Sequence, residues 1–210
     1  MTQKSFPPTL PSPVDVAASQ LDDRPHEECG VVGFSGIDGA AELAFLGLYS
    51  LQHRGQESAG ICAIGDGEAR LHKGVGLVAD VFSADVLKGL LGRTAVGHVR
   101  YSTAGGRDVL NAQPILVRYA EGDLVVAHNG NLTNAYDLKK QLVGEGAIFR
   151  TTSDSEVIVH LIARSREKTI DGQVVDALNQ LEGAFSLAIT VGEVMHAVCD
   201  PRGYRPLVLG

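Results

Sequence analysis

The sequence predicts an α+β fold of layered sheets rather than a doubly wound α/β fold, and three observations carry that expectation. Strand-like segments arrive in groups, separated by groups of helices, instead of alternating strictly with them. Two segments, Ala95 to Val99 and Leu124 to His128, are apolar runs of the kind buried strands make. The composition is 44% hydrophobic with 5% aromatic residues and no Trp, so a sizeable core is expected and it is aliphatic. At 210 residues the chain suits one large domain or one and a half small ones.

The elements come in order along the chain. Val31 to Ser35 reads as a short strand, and Gly36-Ile37-Asp38-Gly39 as a turn. Ala40 to Gln52 reads as a helix, with Ala44, Leu48 and Leu51 on one face and Gly55 as its breaker. Ala59 to Ile64 is an apolar strand, turned at Asp66-Gly67 into Ala69 to Lys73. Ser83 can cap a helix. Thr133 or Asn134 can cap a helix running to Gly144, and Asp154 and Ser155 can cap another carrying Val157, Ile158, Leu161 and Ile162. Asp171 opens a third, with Val174, Val175, Leu178 and Leu181 as its stripe. Phe185 to Thr190 and Val194 to Cys199 form a hairpin about Val191-Gly192-Glu193. Pro206 to Gly210 reads as a strand cut short, so the sequence is expected to be the front piece of a longer protein.

Charge and cysteine usage narrow the class. The net charge is −7 with no basic block, which argues against nucleic acid and anionic membrane as partners. No apolar run approaches the ~18 residues of a membrane span. Three cysteines without paired spacing point to a reducing, cytoplasmic setting. Residues 1–28 stand apart, with five of the eight prolines and five acids against two bases. They have no signal-peptide layout, and their composition leaves a disordered tail and a propeptide both open.

Cys29 lies at the junction of that arm and the first strand, beside Gly30. Cys62 and Cys199 read as buried small hydrophobes. A cysteine nucleophile needs a base, and the residues offer two kinds. His98 or His128 is one. The other is the α-amino group that cleavage of the Glu28–Cys29 bond would expose, with a reference pKa of ~7.7–8.0. Arg100, at a strand end, has the planar fork that clamps a carboxylate, although such an arginine is more often a surface ion pair. Asn129 beside Gly130 offers a side-chain and a backbone donor, the makings of an oxyanion hole, although Asn-Gly alone is more often a turn. Asp154 can pair with an ammonium, although alone it reads first as a helix N-cap. Together these groups describe a pocket for an α-amino acid with a reactive side-chain carbonyl. The histidines have no metal-ligand spacing, and the loose GVGLVA match at Gly74 to Ala79 lacks the third glycine of a dinucleotide loop.

Seven blocks occur in order: CGVVG from Cys29, LQHRGQESAG from Leu51, GHVRYSTAGG from Gly97, AHNGNLTN from Ala127, TTSDSE from Thr151, EGAFSL from Glu182 and DPRGYRPLVLG from Asp200. This set resembles the glutaminase domain of the glutamine phosphoribosylpyrophosphate amidotransferases, class II amidotransferases with an N-terminal nucleophile. The resemblance spans Cys29 to Gly210 and implies a four-layer αββα sandwich of the N-terminal-nucleophile hydrolase type. It implies that glutamine is hydrolysed through a γ-glutamyl thioester on Cys29. Ammonia would then convert phosphoribosyl pyrophosphate to phosphoribosylamine in purine synthesis. By motif, Arg100 and Thr103 would bind the glutamine carboxylate and Asp154 its ammonium. Asn129 and Gly130 would stabilise the oxyanion, and Arg54 would order the site near the nucleophile. Residues 1–28 become an expected propeptide.

The same resemblance implies a C-terminal phosphoribosyltransferase domain absent from this sequence, and a homo-oligomer at full length. Mg²⁺ with phosphoribosyl pyrophosphate, and in some members a 4Fe-4S cluster, would belong to the longer protein, with no cofactor in this segment. The alternatives are another class II amidotransferase, an N-terminal-nucleophile amidase of different substrate, or a non-catalytic module keeping the fold.

Overall fold

The computed structural model describes residues 29–101 and 109–210. Residues 1–28, expected to be a propeptide, and Thr103 lie outside the described residues.

The first half builds one sheet. Strand β1 (Gly30–Phe34) leads through a turn to helix α1 (Ala40–Ser50) and a 3₁₀ turn, Gln52–Arg54. Strands β2 (Ser58–Gly65) and β3 (Glu68–Val75) form a hairpin about Asp66 and Gly67, both at positive φ as a tight two-residue turn requires. Two short helices come next, α2 (Val78–Val81) and α3 (Ala84–Gly89), and then strand β4 (Thr94–Arg100). The four strands are antiparallel in the order β1-β4-β2-β3. The second half builds another. Strands β5 (Ile115–Tyr119) and β6 (Gly122–Leu132) precede helices α4 (Ala135–Gly144), α5 (Ser155–Arg164) and α6 (Ile170–Leu178). Strands β7 (Gly183–Val191) and β8 (Val194–Cys199) complete an antiparallel sheet in the order β5-β6-β7-β8.

Strand alternation explains the layering. Along β6, Leu124 and Val126 face the helix side, where they pack with Val157, Ile158, Leu161 and Ile162 of α5 and Val174 and Ala177 of α6. The intervening Val125 and Ala127 face the other sheet and meet Cys62, Ile64 and Val96. On β2, Ala59, Ile61 and Ala63 face Ala40, Ala44 and Leu48 of α1. Helices, sheet, sheet and helices thus stack as four layers, the expected αββα sandwich. The central strands β2, β4, β6 and β7 are covered on both faces, which is why they carry continuous apolar runs.

Several local expectations are corrected. Pro206 to Gly210 is not a strand, because no described strand pairs with it, and Val208 and Leu209 lie exposed. Cys199 is exposed rather than buried, because it ends β8 at the rim of its sheet. Asp171 does not open α6. Thr169 does, its hydroxyl accepting from Gly172 N–H at 3.0 Å. Asn134 precedes α4 but its amide does not cap it. It donates to Gln180 C=O and accepts from Glu182 N–H, tying α4's start to the turn before β7. Strand β5 and helix α2 leave no signal in the sequence pattern. Five and four residues are too few for periodicity to show, and β5 comes directly after Pro114.

Asp200, the first residue of the DPRGYRP block, organises the segment after β8. Its carboxylate accepts from the backbone N–H groups of Phe185, Arg202, Tyr204 and Arg205 at 3.0–3.3 Å. Burial pushes its pKa up, but those four donors outweigh burial and hold it below the ordinary carboxylate value. Asp200→Asn turns an NH₂ against two of the donors and should cost about 1–3 kcal/mol. Because the folded pKa is depressed, this stabilisation is complete above the unfolded value near 3.8 and is lost as pH falls through the folded one. Thermal unfolding of parent and variant should therefore differ fully at neutral pH and converge in acid.

Candidate active site

Cys29 sits immediately before β1, half-buried, with φ of 56°. The β1–β4 register, with Gly30 opposite Val99, sets the cysteine beside the end of β4 where Arg100 stands. Its Sγ lies 3.9 Å from the Tyr101 carbonyl oxygen. Arg54, on the 3₁₀ turn after α1, donates from Nε to the Cys29 carbonyl at 2.9 Å. That turn rests directly on β4, and a Cβ on Gly55 would lie 2.7 Å from the Val99 carbonyl carbon and 2.8 Å from Arg100 N. Only glycine permits the approach that brings Arg54 to the cysteine.

Arg100 donates to Glu57 Oε1 at 3.0 Å, with the two side chains 20% and 12% exposed. Glu57 is fixed in turn, because its N–H donates to the Arg100 carbonyl at 3.0 Å. The arginine is therefore an oriented, largely buried fork rather than a loose surface pair. Sequence reasoning missed Glu57, although it lies inside the HRGQES block.

The second sheet supplies the other groups. Asn129 and Gly130 are not a hairpin turn. They lie within β6, opposite Ser186 and Phe185 of β7. Asn129 is buried and its Oδ1 has no hydrogen-bond partner among the described residues. Asp154 occupies the N-cap position of α5 but does not cap it. Its Oδ2 instead accepts from Leu132 N–H at 3.1 Å, which holds the carboxylate at the end of β6, two residues past Gly130. The loop carrying it is pinned by Glu156, which accepts from Arg150 N–H, Thr151 N–H and the Thr151 hydroxyl at 2.7–2.8 Å.

A buried polar network joins the halves. His98 Nε2 donates across the inter-sheet layer to the His128 carbonyl at 3.0 Å. His98 is two residues before Arg100, and His128 directly precedes Asn129. Gln113 holds both backbone groups of His128 from the side, its Oε1 accepting from His128 N–H at 2.7 Å and its Nε2 donating to His128 C=O at 3.3 Å. His128 Nδ1 pairs with the Ser155 hydroxyl at 2.9 Å. Cys29, Arg54 and Arg100 on one sheet are in this way set against Asn129, Gly130 and Asp154 on the other.

The two histidine rings bond within the inter-sheet network, to the His128 carbonyl and the Ser155 hydroxyl. Burial pushes His98 down to about 3 and lowers His128, so both rings are neutral near pH 7. Their remaining nitrogens, His98 Nδ1 and His128 Nε2, have no hydrogen-bond partner among the described residues. Burial pushes the Cys62 thiol up to about 12, the mark of an inert core cysteine. Among the described residues no His, Cys, Asp and Glu side chains gather as metal ligands, and Cys62 and Cys199 sit on different sheets, so these residues do not fit an iron–sulfur cluster. A cavity of about 570 Å³, lined by Thr133, Glu182, Asp200 and Tyr204 among others, opens elsewhere, around the DPRGY turn.

Two stacked antiparallel sheets with helices outside them give the fold of an N-terminal-nucleophile-type amidotransferase domain, and a family model described as a glutamine amidotransferase domain matches residues 98–210. The chain is 48% identical over 186 residues to an amidophosphoribosyltransferase of Lacticaseibacillus casei, covering 88% of this chain and 96% of that one. It is 46% identical over 208 residues to a chloroplastic amidophosphoribosyltransferase of Arabidopsis thaliana, covering 99% of this chain and 39% of that one. The glutamine phosphoribosylpyrophosphate amidotransferase of Bacillus subtilis, solved with ADP and GMP, superposes with a TM-score of 0.78 at 46% identity, over 84% of this chain and 38% of that one. The chain belongs to the amidophosphoribosyltransferases, a family of enzymes. It spans nearly all of the L. casei relative but under two fifths of the other two.

Proposed function

We propose that this chain is the glutaminase part of an amidophosphoribosyltransferase, with Cys29 as the nucleophile once residues 1–28 are removed. The freed α-amine takes the thiol proton, and Sγ attacks the side-chain amide carbon of glutamine. Asn129 and the Gly130 N–H hold the oxyanion. As the C–N bond breaks, the α-ammonium returns its proton to the departing ammonia. Water then cleaves the γ-glutamyl thioester to release glutamate. Arg100, with Thr103, receives the substrate carboxylate, and Asp154 receives its ammonium. Arg54 fixes the nucleophile's carbonyl. In the longer protein the ammonia would meet phosphoribosyl pyrophosphate on a C-terminal domain, with Mg²⁺ held there.

The single observation that carries this reading is the hydrogen bond from His98 to the His128 carbonyl, which sets the Cys29–Arg100 edge against Asn129-Gly130. Incubating the enzyme with glutamine and hydroxylamine tests it, since a γ-glutamyl thioester is intercepted as the hydroxamate. Absence of both ammonia and hydroxamate would exclude a glutaminase. Arg100→Lys should raise KM for glutamine about tenfold or more with a smaller change in kcat, because a point charge cannot hold Glu57 and a carboxylate in one plane. An unchanged KM would remove Arg100 from the clamp.

A further inference from the structure

The geometry points to His98 and Gln113 as positioning residues for this glutaminase, gripping the His128 peptide so that the two oxyanion donors after it stay aimed at the carbonyl attacked by Cys29. The inference rests on the glutaminase reading and goes beyond it, because neither residue touches Cys29 or the substrate-binding groups.

The need for such a grip arises in the sheet. The β5–β6 pairing runs from Tyr119 opposite Gly122 to Ile115 opposite Val126, and then stops. Continued in register, Pro114 would face Ala127 and Gln113 would face His128. Pro114 intervenes with no N–H to donate, so a backbone ladder cannot hold β6 on that side. The Gln113 side chain replaces it, offering one acceptor and one donor to the two backbone groups of His128. Its Nε2 also lies 3.2 Å from the Ser155 hydroxyl. His98 supplies a second bond to the His128 carbonyl, from the opposite sheet. Among the described residues its Nδ1 has no partner, so the Nε2–H bond is the one hydrogen bond its ring makes there.

The peptide so held joins His128 to Asn129, and one residue on is the Gly130 N–H. A tilt of that plane moves the Asn129 side chain and the Gly130 donor together. It leaves Arg100 on Glu57 and Asp154 on Leu132 N–H, while the His128 ring, 3.7 Å from Asp154 Oδ1, is anchored separately by the Ser155 hydroxyl. The expected signature is therefore confined to the transition state. Small misplacements of catalytic groups cost up to about 10²-fold in rate.

The test uses the processed enzyme, beginning at Cys29, and compares parent, His98→Leu and His98→Gln at pH 8. His98→Leu should lower kcat about 10–100-fold with KM for glutamine within about twofold. His98→Gln, which keeps an N–H donor near the same place, should recover most of the loss. An aldehyde analogue of glutamine, which forms a hemithioacetal needing the same donors, should lose affinity in proportion to kcat/KM, while glutamate binding stays unchanged. If His98→Leu fails to fold, Gln113→Glu serves instead, since its carboxylate keeps the acceptor for His128 N–H and loses the donor for C=O. Parental kcat in the variants, or equal loss of aldehyde and glutamate binding, overturns the positioning role alone. A parent that releases no ammonia overturns the glutaminase reading, and this inference with it.

Discussion

Cys29→Ala should abolish ammonia release from glutamine, a loss of about 10⁴-fold or more, because no other group can form the thioester. The alternatives within the chain are poor. Cys62 is buried at 0% exposure with its thiol pushed up to about 12, and Cys199 ends the outer strand of the other sheet. Alanine keeps the Cβ and so inherits the same left-handed backbone strain at φ 56°, which means stability should hardly change. The measurement is ammonia release and hydroxamate trapping beside thermal unfolding, with the ammonia-dependent reaction of the longer protein retained. Hydrolysis surviving in the variant would take the nucleophile role away from Cys29. The same residue carries the processing expectation. While Glu28 remains attached the nitrogen of Cys29 is an amide and cannot accept a proton, so mass spectrometry of the active enzyme should find a chain starting at Cys29. Activity in an unprocessed chain would require another base and would overturn the α-amine role.

Gly130→Ala should be the most damaging single methyl in the site. Its φ is 149°, a region L side chains rarely enter, and an added Cβ would lie 2.0 Å from the Ala184 carbonyl oxygen and 2.8 Å from Phe185 Cα. Both obstacles are backbone of β7, so no rotamer relieves them and the β6–β7 pairing itself must open. Overpacking and backbone strain together should cost about 2–5 kcal/mol. Whatever folds should also lose about 10²–10³ in kcat, because the displaced N–H is a proposed oxyanion donor. Thermal unfolding and kcat per folded molecule separate the two effects. A variant with parental stability would mean that β7 gives way more easily than its paired register implies.

Much of the fold was legible in the chain because strand alternation, helix stripes and glycine turns are local patterns. The hairpin at Asp66-Gly67 and the stripe of Val157, Ile158, Leu161 and Ile162 needed only their own neighbours. Short elements such as β5 were not legible, since five residues beside a proline carry no period. In the site, the residue types were readable but their roles were ambiguous in a definite way. Asp154 could have been a cap, Asn129-Gly130 a turn and Arg100 a surface ion pair, because each reading satisfies the same local chemistry.

By itself the sequence determined the layered α+β class, the order of most elements, the family to which seven ordered blocks point, and the junction at Cys29. Tertiary structure alone decided that Asp154 serves the end of β6 instead of its own helix, that Glu57 holds Arg100, and that two buried histidines join the sheets. The physical reason is range. The contact between Cys29 and Tyr101 spans 72 residues and the His98–His128 bond spans 30. Such bonds exist only once two sheets, each specified locally, have stacked and excluded water between them.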